Sequence, residues 1–364
     1  MRDVWNFSAG PAQLPLEVLR KAEEELVSYK DTGMSVMEMS HRSKEYQKIM
    51  EETETRLRRV MNISKDYTVL FLQGGASAQF LMAPMNLKKA GKAAFIHTGN
   101  WSKKAIEAAE EVDVKVDIIA SSENEDFSYI PEWPADFKSY DYVHITTNNT
   151  IEGTVFTKFP KAQDVPLIAD MSSNILSEPI DVNQFGLIYA GAQKNLGIAG
   201  LTIVVIRKDL LNLNPDLPAY LNYNTHAQKE SAYNTPSTYA IYISNLVLEW
   251  MEDLGGLEAV YQLNKEKAEL FYDYLDDSKL FNATVFGKDR SLMNIPFITG
   301  DDDLDKDFVA YADNRNIKNI KGHRSIGGMR ASMYNSMPIE GVEALIQVMK
   351  DFEKNQGREL RWQR

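Results

Sequence analysis

No cysteine occurs among the 364 residues. Disulfides, thiolate-bound zinc, iron–sulfur clusters and any thiol nucleophile are thereby excluded. Long apolar runs are missing too: no stretch approaches the ~18 consecutive residues that a spanning helix needs. The opening Met1-Arg2-Asp3-Val4-Trp5-Asn6-Phe7-Ser8 has no apolar segment of the kind a secretion signal carries. Positive charge is in deficit, with 40 Lys plus Arg against 52 Asp plus Glu and a net charge of −12. Affinity of the whole chain for nucleic acid or an anionic membrane is disfavoured by that balance. The five histidines show no ligand spacing, and neither H-E-x-x-H nor G-x-S-x-G occurs, so no metal and no serine elbow are expected. A cytoplasmic protein is the expectation.

What is present is enough for a large core. The chain is 44% hydrophobic and 25% charged, and its length suits two domains or one large α/β unit. Val18, Leu19, Ala22 and Leu26 repeat at helical spacing after Pro15, and Tyr46, Ile49, Met50, Thr53, Leu57 and Val60 do so over a longer stretch. Short apolar runs follow at 67–72, 93–98, 114–120, 142–146, 165–169, 187–190 and 201–206, with a helical stripe at Ala105, Ile106, Ala109 and Val112. Short buried strands alternating with helices predict an α/β fold with a mostly parallel sheet covered by helices. Residues 212–238 read as a long ordered loop, in which Thr235 and Pro236 look like a helix entry. Gly255-Gly256 marks a hinge, beyond which the pattern turns α+β. The expected division is a large cofactor-binding domain over 16–256 and a small domain from 1–15 and 257–364. The tail Arg358–Arg364 is basic but short. No repeat or low-complexity tract is visible.

Lys194 lies between two apolar runs in Gly191-Ala192-Gln193-Lys194-Asn195-Leu196-Gly197. Flanked by small residues, it can be partly desolvated and made nucleophilic, although a solvated turn lysine has the same local pattern. Asp170 ends the run at 165–169, where open α/β sheets place ligands. An upstream carboxylate and a downstream lysine suit pyridoxal phosphate, the lysine binding it covalently and the carboxylate holding its ring nitrogen protonated. Gln73-Gly74-Gly75-Ala76-Ser77 follows a strand and opens a helix whose free N–H groups suit a phosphate, or else form an ordinary β–α turn. Trp101 and Thr150 each lie just past a strand end, where they could face a ring or simply pack and cap. His41-Arg42 and His323-Arg324 pair two of the five histidines with arginines, a donor set for a dianion or a solvated surface.

Asn6-Phe7-Ser8-Ala9-Gly10-Pro11-Ala12, His41-Arg42, Gly191-Ala192-Gln193-Lys194-Asn195 and Gly322-His323-Arg324-Ser325-Ile326-Gly327-Gly328-Met329-Arg330-Ala331-Ser332 occur together in this order. In this the chain closely resembles the phosphoserine aminotransferases, class V pyridoxal-phosphate enzymes of fold type I, over nearly its whole length. The resemblance implies a transfer of the amino group of glutamate to 3-phosphohydroxypyruvate in serine biosynthesis, by a homodimer with shared sites. It also suggests 4-phosphohydroxythreonine, of pyridoxine biosynthesis, as a second substrate. By the same resemblance Lys194 holds the cofactor, Asp170 its ring nitrogen, Trp101 its ring face and Thr150 its phenolic oxygen. Ala76, Ser77 and Gln193 fall at phosphate positions, and Asn234 and Thr235 reach the phosphate of the neighbouring subunit. Arg330 takes the substrate α-carboxylate, while His41, Arg42, His323 and Arg324 form the pocket for the distal anion. One departure is Ala76-Ser77, where some members have Gly-Arg, leaving one guanidinium fewer. A related class V enzyme such as an alanine–glyoxylate aminotransferase would share the fold without the His-Arg pairs. A non-catalytic binding homologue would have no use for Asp170 and Lys194 together, and a cysteine desulfurase would need the absent thiol.

Overall fold

A computed structural model describes residues 3–162 and 164–362; Met1, Arg2, Gln163 and the last two residues of the basic tail lie outside the described residues. β1 (Trp5–Asn6), α1 (Leu16–Glu24) and α2 (Lys44–Val60) precede the main sheet. Its strands and helices then alternate: β2 (Tyr67–Leu72), α3 (Gly75–Leu87), β3 (Lys92–His97), α4 (Asn100–Glu111), β4 (Lys115–Ser121), β5 (Val143–Thr146), β6 (Leu167–Asp170), β7 (Leu187–Gly191) and β8 (Thr202–Arg207). The spatial order is β2-β8-β7-β6-β5-β3-β4, and β8 alone runs against its neighbours. The largely parallel sheet read from the short apolar runs is therefore present.

Both faces of this sheet are covered, which is why its inner strands are apolar on both sides, while the edge strand β4 is half-exposed. Alternate residues such as Val69, Phe71, Ile145, Ala169 and Ile188 pack with α1, α2 and α6 (Thr238–Asp253). The intervening Leu70, Leu72, Phe95, Ile168 and Tyr189 pack with α3 and α4. A second core gathers Phe7, α7 (Gly256–Asp277), β9 (Asn282–Ala283), β10 (Asn294–Ile298), α8 (Asp302–Asp313), β11 (Ile317–Lys318), β12 (Met329–Ser332) and α9 (Ile339–Trp362). There β12-β10-β9 form an antiparallel sheet and β1 pairs with β11. Lys267 of α7 is buried beneath it, its Nζ donating to the carbonyls of Tyr334 at 3.0 Å and Met337 at 2.9 Å. Among the described residues, no helix is long and apolar enough to cross a membrane.

Three local expectations change. Residues 212–238 are not a plain loop: a turn of 3-10 helix at Ala219–Leu221 leads into α5 (Tyr223–Gln228), capped by the Asn222 side chain on the Asn224 N–H and anchored by buried Tyr223. The next helix starts at Thr238 rather than at Pro236, because Pro236 is buried against other elements and Ser237 donates to the Gly200 carbonyl instead. Leu19 and Leu26 do not share the buried face of Val18 and Ala22; each is 40% exposed, since α1 ends at Glu24 and turns its other side outward. Gly255 and Gly256, with φ of 104° and 82°, make the turn between α6 and α7.

Phe281 is the hub of the second core, fully buried, with the rings of Phe308 and Phe297 centred 4.7 and 6.0 Å away. Phe281→Ala should lower the unfolding free energy by about 3–5 kcal/mol in urea titrations. Phe286→Ala, at a residue 70% exposed, should change it by less than about 0.5 kcal/mol.

Candidate functional site

The carboxyl ends of β2, β3, β5, β6 and β7 all open toward one cavity. Its walls include Gly75, Ala76 and Ser77 after β2, Trp101 after β3, Thr146, Asn148 and Thr150 at and after β5, Asp170, Ser172 and Ser173 at and after β6, and Gln193 and Lys194 after β7. Its volume is about 140 Å³. A crevice outside the carboxyl ends of parallel strands is where such sheets bind ligands, because loops from adjacent strands converge there.

Lys194 Nζ donates to Thr150 Oγ1 at 2.9 Å. The side chain is partly open to the cavity, yet its amine lies deep enough for burial to dominate its titration. Burial lowers the pKa from the usual lysine range to about 8; Arg330 pushes the same way, and Asp170 opposes. The Asp170 carboxyl is buried, and desolvation raises its pKa against the hydrogen bonds of Ser172 and the charge of Lys194. The Ser172 N–H donates to Asp170 Oδ1 at 2.9 Å, fixing the carboxylate. Beneath Asp170, Tyr189 and His144 share a 2.8 Å hydrogen bond, and burial lowers His144 to about 3, so its ring is neutral.

Gly74 holds φ at 95° before α3, and a Cβ there would press on Ala78. That tight entry leaves the first N–H groups of α3, at Gly75, Ala76 and Ser77, facing the cavity as an anion cradle. Across from it, Trp101 Nε1 and Thr146 Oγ1 are buried without a protein partner. A flat, polar, phosphate-bearing ring fits this donor set: a helix N-terminus, a carboxylate, an amine and an indole face. Arg330 reaches in from β12, its Nη1 donating to the Thr150 carbonyl at 3.1 Å while its Nε has no partner.

Of the residues singled out from sequence, Lys194, Asp170, Ala76, Ser77, Trp101, Thr150 and Gln193 line this cavity, and Arg330 joins them through Thr150. His323 sits next to Arg330 around a smaller pocket, its Nδ1 at 2.7 Å from Ser325 Oγ. Burial lowers the His323 pKa, with Arg330, Arg324 and Lys104 adding to the shift. His41 borders a different cavity with Tyr46, Glu51 and Glu230, and Arg42 is exposed. Asn234 and Thr235 are exposed as well, Asn234 donating to Gln73 Oε1 at 2.8 Å. A single chain does not bring these four to Lys194. Sequence reasoning overlooked Thr146, Asn148, Ser172 and Ser173; the Ser172-Ser173 pair one residue beyond Asp170 was the available signal, and hydroxyls are common in any turn.

The aminotransferase class-V family matches residues 4–345. A phosphoserine aminotransferase of Listeria monocytogenes serotype 4b (strain F2365) is 53% identical over 363 residues, covering 99% of this chain and all of that one. The solved phosphoserine aminotransferase from Bacillus circulans subsp. alkalophilus is 46% identical, with a TM-score of 0.94 over 97% of this chain and 99% of its own. Another solved phosphoserine aminotransferase, studied for radiation damage of its Schiff base, is 45% identical with a TM-score of 0.95, covering 98% and 100%.

A lysine whose pKa is lowered loses its proton, and gains nucleophilicity, at lower pH than an exposed one. Reductive alkylation of the cofactor-free protein by an aldehyde, followed by peptide mass, should half-saturate Lys194 near pH 8. Exposed lysines should respond only toward their usual range, near about 10.4. Asp170→Asn removes the charge that raises the Lys194 pKa, so its midpoint should move to lower pH.

Proposed function

The chain belongs to the class-V aminotransferase family, and on that premise we propose that it is a phosphoserine aminotransferase. It would exchange an amino group between glutamate and 3-phosphohydroxypyruvate, yielding 2-oxoglutarate and phosphoserine, with pyridoxal phosphate as cofactor. The observation that carries this reading is the grouping of Lys194, Asp170 and Thr150 around one cavity, with Thr150 bonded both to Lys194 and to Arg330. Near-full-length similarity to phosphoserine aminotransferases supports the substrate pair.

Lys194 would attach the cofactor, the N–H groups of Gly75, Ala76 and Ser77 would hold its phosphate, and Asp170 would hold the proton on its ring nitrogen. Bound there, the group supplies an electron sink for the charge left on the substrate α-carbon. Trp101 walls one side and excludes water. Arg330 orients the substrate by its α-carboxylate, presenting the α-hydrogen to Lys194. With a pKa near 8, the Lys194 amine takes up a proton and gives it back near neutral pH, which is what a general acid–base requires. Thr150 steadies it without a charge that would lock the proton in place.

His323 and Arg324 form one part of the proposed distal-anion pocket. His41, Arg42, Asn234 and Thr235 would come from a second copy of the chain. Supporting this, Val27, Met34 and Met37, close to His41 in sequence, are exposed apolar side chains, as expected where an apolar surface is covered on assembly. The two-domain division at residues 16 and 256 and a role with 4-phosphohydroxythreonine belong to the same reading.

The test is the visible absorption of the cofactor-loaded protein titrated with phosphoserine and, separately, with alanine. Phosphoserine should bleach the band and 2-oxoglutarate should restore it. A band responding only to alanine would assign a different class V substrate, and no band after added pyridoxal phosphate would remove the enzyme reading. Lys194→Ala should lower turnover by at least about 10²–10⁴-fold, the usual range for a positioned acid–base group.

A further inference from the structure

Glu152 carries a carboxylate with no part in the chemistry above, yet it is only 5% exposed. Its Oε1 accepts hydrogen bonds from the Asn100 backbone N–H and from the Asn100 side-chain amide, both at 2.8 Å. Asn100 is the first residue of α4, so the carboxylate meets free N–H groups and the positive end of the helix dipole. Gly99 makes the approach possible: its φ is 154°, and a Cβ there would overlap the Glu152 carboxylate. The other oxygen, Oε2, is buried without a partner.

The neighbours of this contact are the site's own parts. Trp101 follows Asn100 directly, so whatever fixes the start of α4 fixes the indole at the cavity wall. Two residues before Glu152, Thr150 accepts from Lys194 and from Arg330. On the outer side, the Asn100 amide also reaches Ser325 Oγ at 3.4 Å, and Ser325 Oγ bonds His323 Nδ1. A continuous chain of contacts thus runs from Glu152 through Asn100 and Ser325 to the loop bearing His323 and Arg324. Burial raises the pKa of the carboxyl, and Asn100 and Arg330 draw it down again.

We propose that Glu152 is a positioning residue that acts in two directions through Asn100: it seats Trp101 against the cofactor ring, and it holds the 322–328 loop over the substrate's distal anion. The proposal rests on the cavity being a pyridoxal-phosphate site. An acceptor is required at 152 rather than bulk, because the contact satisfies two N–H donors. Glutamine retains one carbonyl oxygen able to accept both; alanine retains none.

The experiment compares Glu152→Ala, Glu152→Gln and Asn100→Ala with the wild-type chain. Three quantities are read: the equilibrium Kd for pyridoxal phosphate, the visible circular dichroism of the bound cofactor, and KM for phosphoserine. Glu152→Ala should weaken cofactor binding about tenfold, comparable to one lost charge-assisted hydrogen bond, and diminish the dichroic band. Glu152→Gln should restore both to within about twofold. Asn100→Ala keeps the backbone N–H contact but severs the link to Ser325. It should therefore raise KM for phosphoserine about three- to tenfold, the scale of one ordinary hydrogen bond, with Kd for the cofactor unchanged. Wild-type values for Glu152→Ala, or a Glu152→Gln variant as impaired as the alanine one, would overturn the proposal. Should Glu152→Ala not fold, Glu152→Gln and Asn100→Ala decide: an impaired glutamine variant or an unmoved KM in Asn100→Ala overturns it. A wild-type chain that binds no pyridoxal phosphate sinks the functional reading instead, and is distinguished by that control.

Discussion

The buried amine of Lys194, which in the proposed function gives up and regains a proton, is the constraint on which the rest of the molecule depends. In water a lysine is almost always charged, and burial alone shifts it toward neutrality. The neighbours decide how far. A carboxylate in direct contact would hold the proton, so the group bonded to Lys194 is the hydroxyl of Thr150, while Asp170 sits on the adjoining strand and acts through space. Arg330 pushes the proton the other way. Because β5, β6 and β7 are adjacent parallel strands, about 4.8 Å apart, the end of β6 and the loops after β5 and β7 deliver Asp170, Thr150 and Lys194 to one cavity. The parallel sheet is the device that makes this spacing reproducible.

Arg330 poses a harder problem, since it belongs to the smaller antiparallel sheet and has to reach a carbonyl beyond β5. Buried polar contacts span the gap. Asn148 donates to Ser173 Oγ and to Asn294 Oδ1 at 2.8 Å each, and receives Ser291. Asn294 in turn donates to Ser332 Oγ, at the end of β12, and to the Tyr334 hydroxyl just beyond it. Every link in that network is satisfied within the protein, so displacement of β12 relative to β5 would strand several buried donors at once. Apolar packing could join the two cores as firmly. A polar network defines their register more narrowly, because hydrogen bonds are directional and dispersion is not.

Much of this was legible in the sequence, and the failures have identifiable causes. The inner strands of the main sheet stood out because both faces are buried, turning each into a short, largely apolar run, whereas the edge strand β4 is half-exposed. Asp170 and Lys194 were legible for the same reason: each ends or follows such a run. The region 212–238 was opaque because α5 is only six residues long, too short for a periodic pattern to emerge. Pro236 gave a helix-entry signal that was overridden by tertiary packing, and Leu19 was misplaced because α1 is too short to bury its full apolar arc. Glu152 was invisible in principle. Nothing local marks a glutamate whose donor lies 52 residues earlier in the chain, and only the fold brings Gly99 close enough to make room for it.

Charge distribution is the last point at which the whole and the part differ. The chain carries a net charge of −12, which taken globally would repel a dianionic substrate. Screening makes that number a poor guide, since at physiological ionic strength fields fade over about 8 Å. The groups that matter locally are those that act on His323, namely Arg330, Arg324 and Lys104. Lys104 also lies 4.7 Å over the Trp101 ring, one helical turn beyond the Asn100 that Glu152 fixes. Burial, with these cations adding to it, lowers the His323 pKa, so the ring is readier to offer a hydrogen bond than a full charge until an anion arrives. Binding an anion there would favour the protonated imidazole and deepen the attraction for a second negative charge. Such a group could serve both a singly charged carboxylate and a doubly charged phosphate, which is the demand that the proposed alternation between glutamate and phosphoserine would place on a distal pocket.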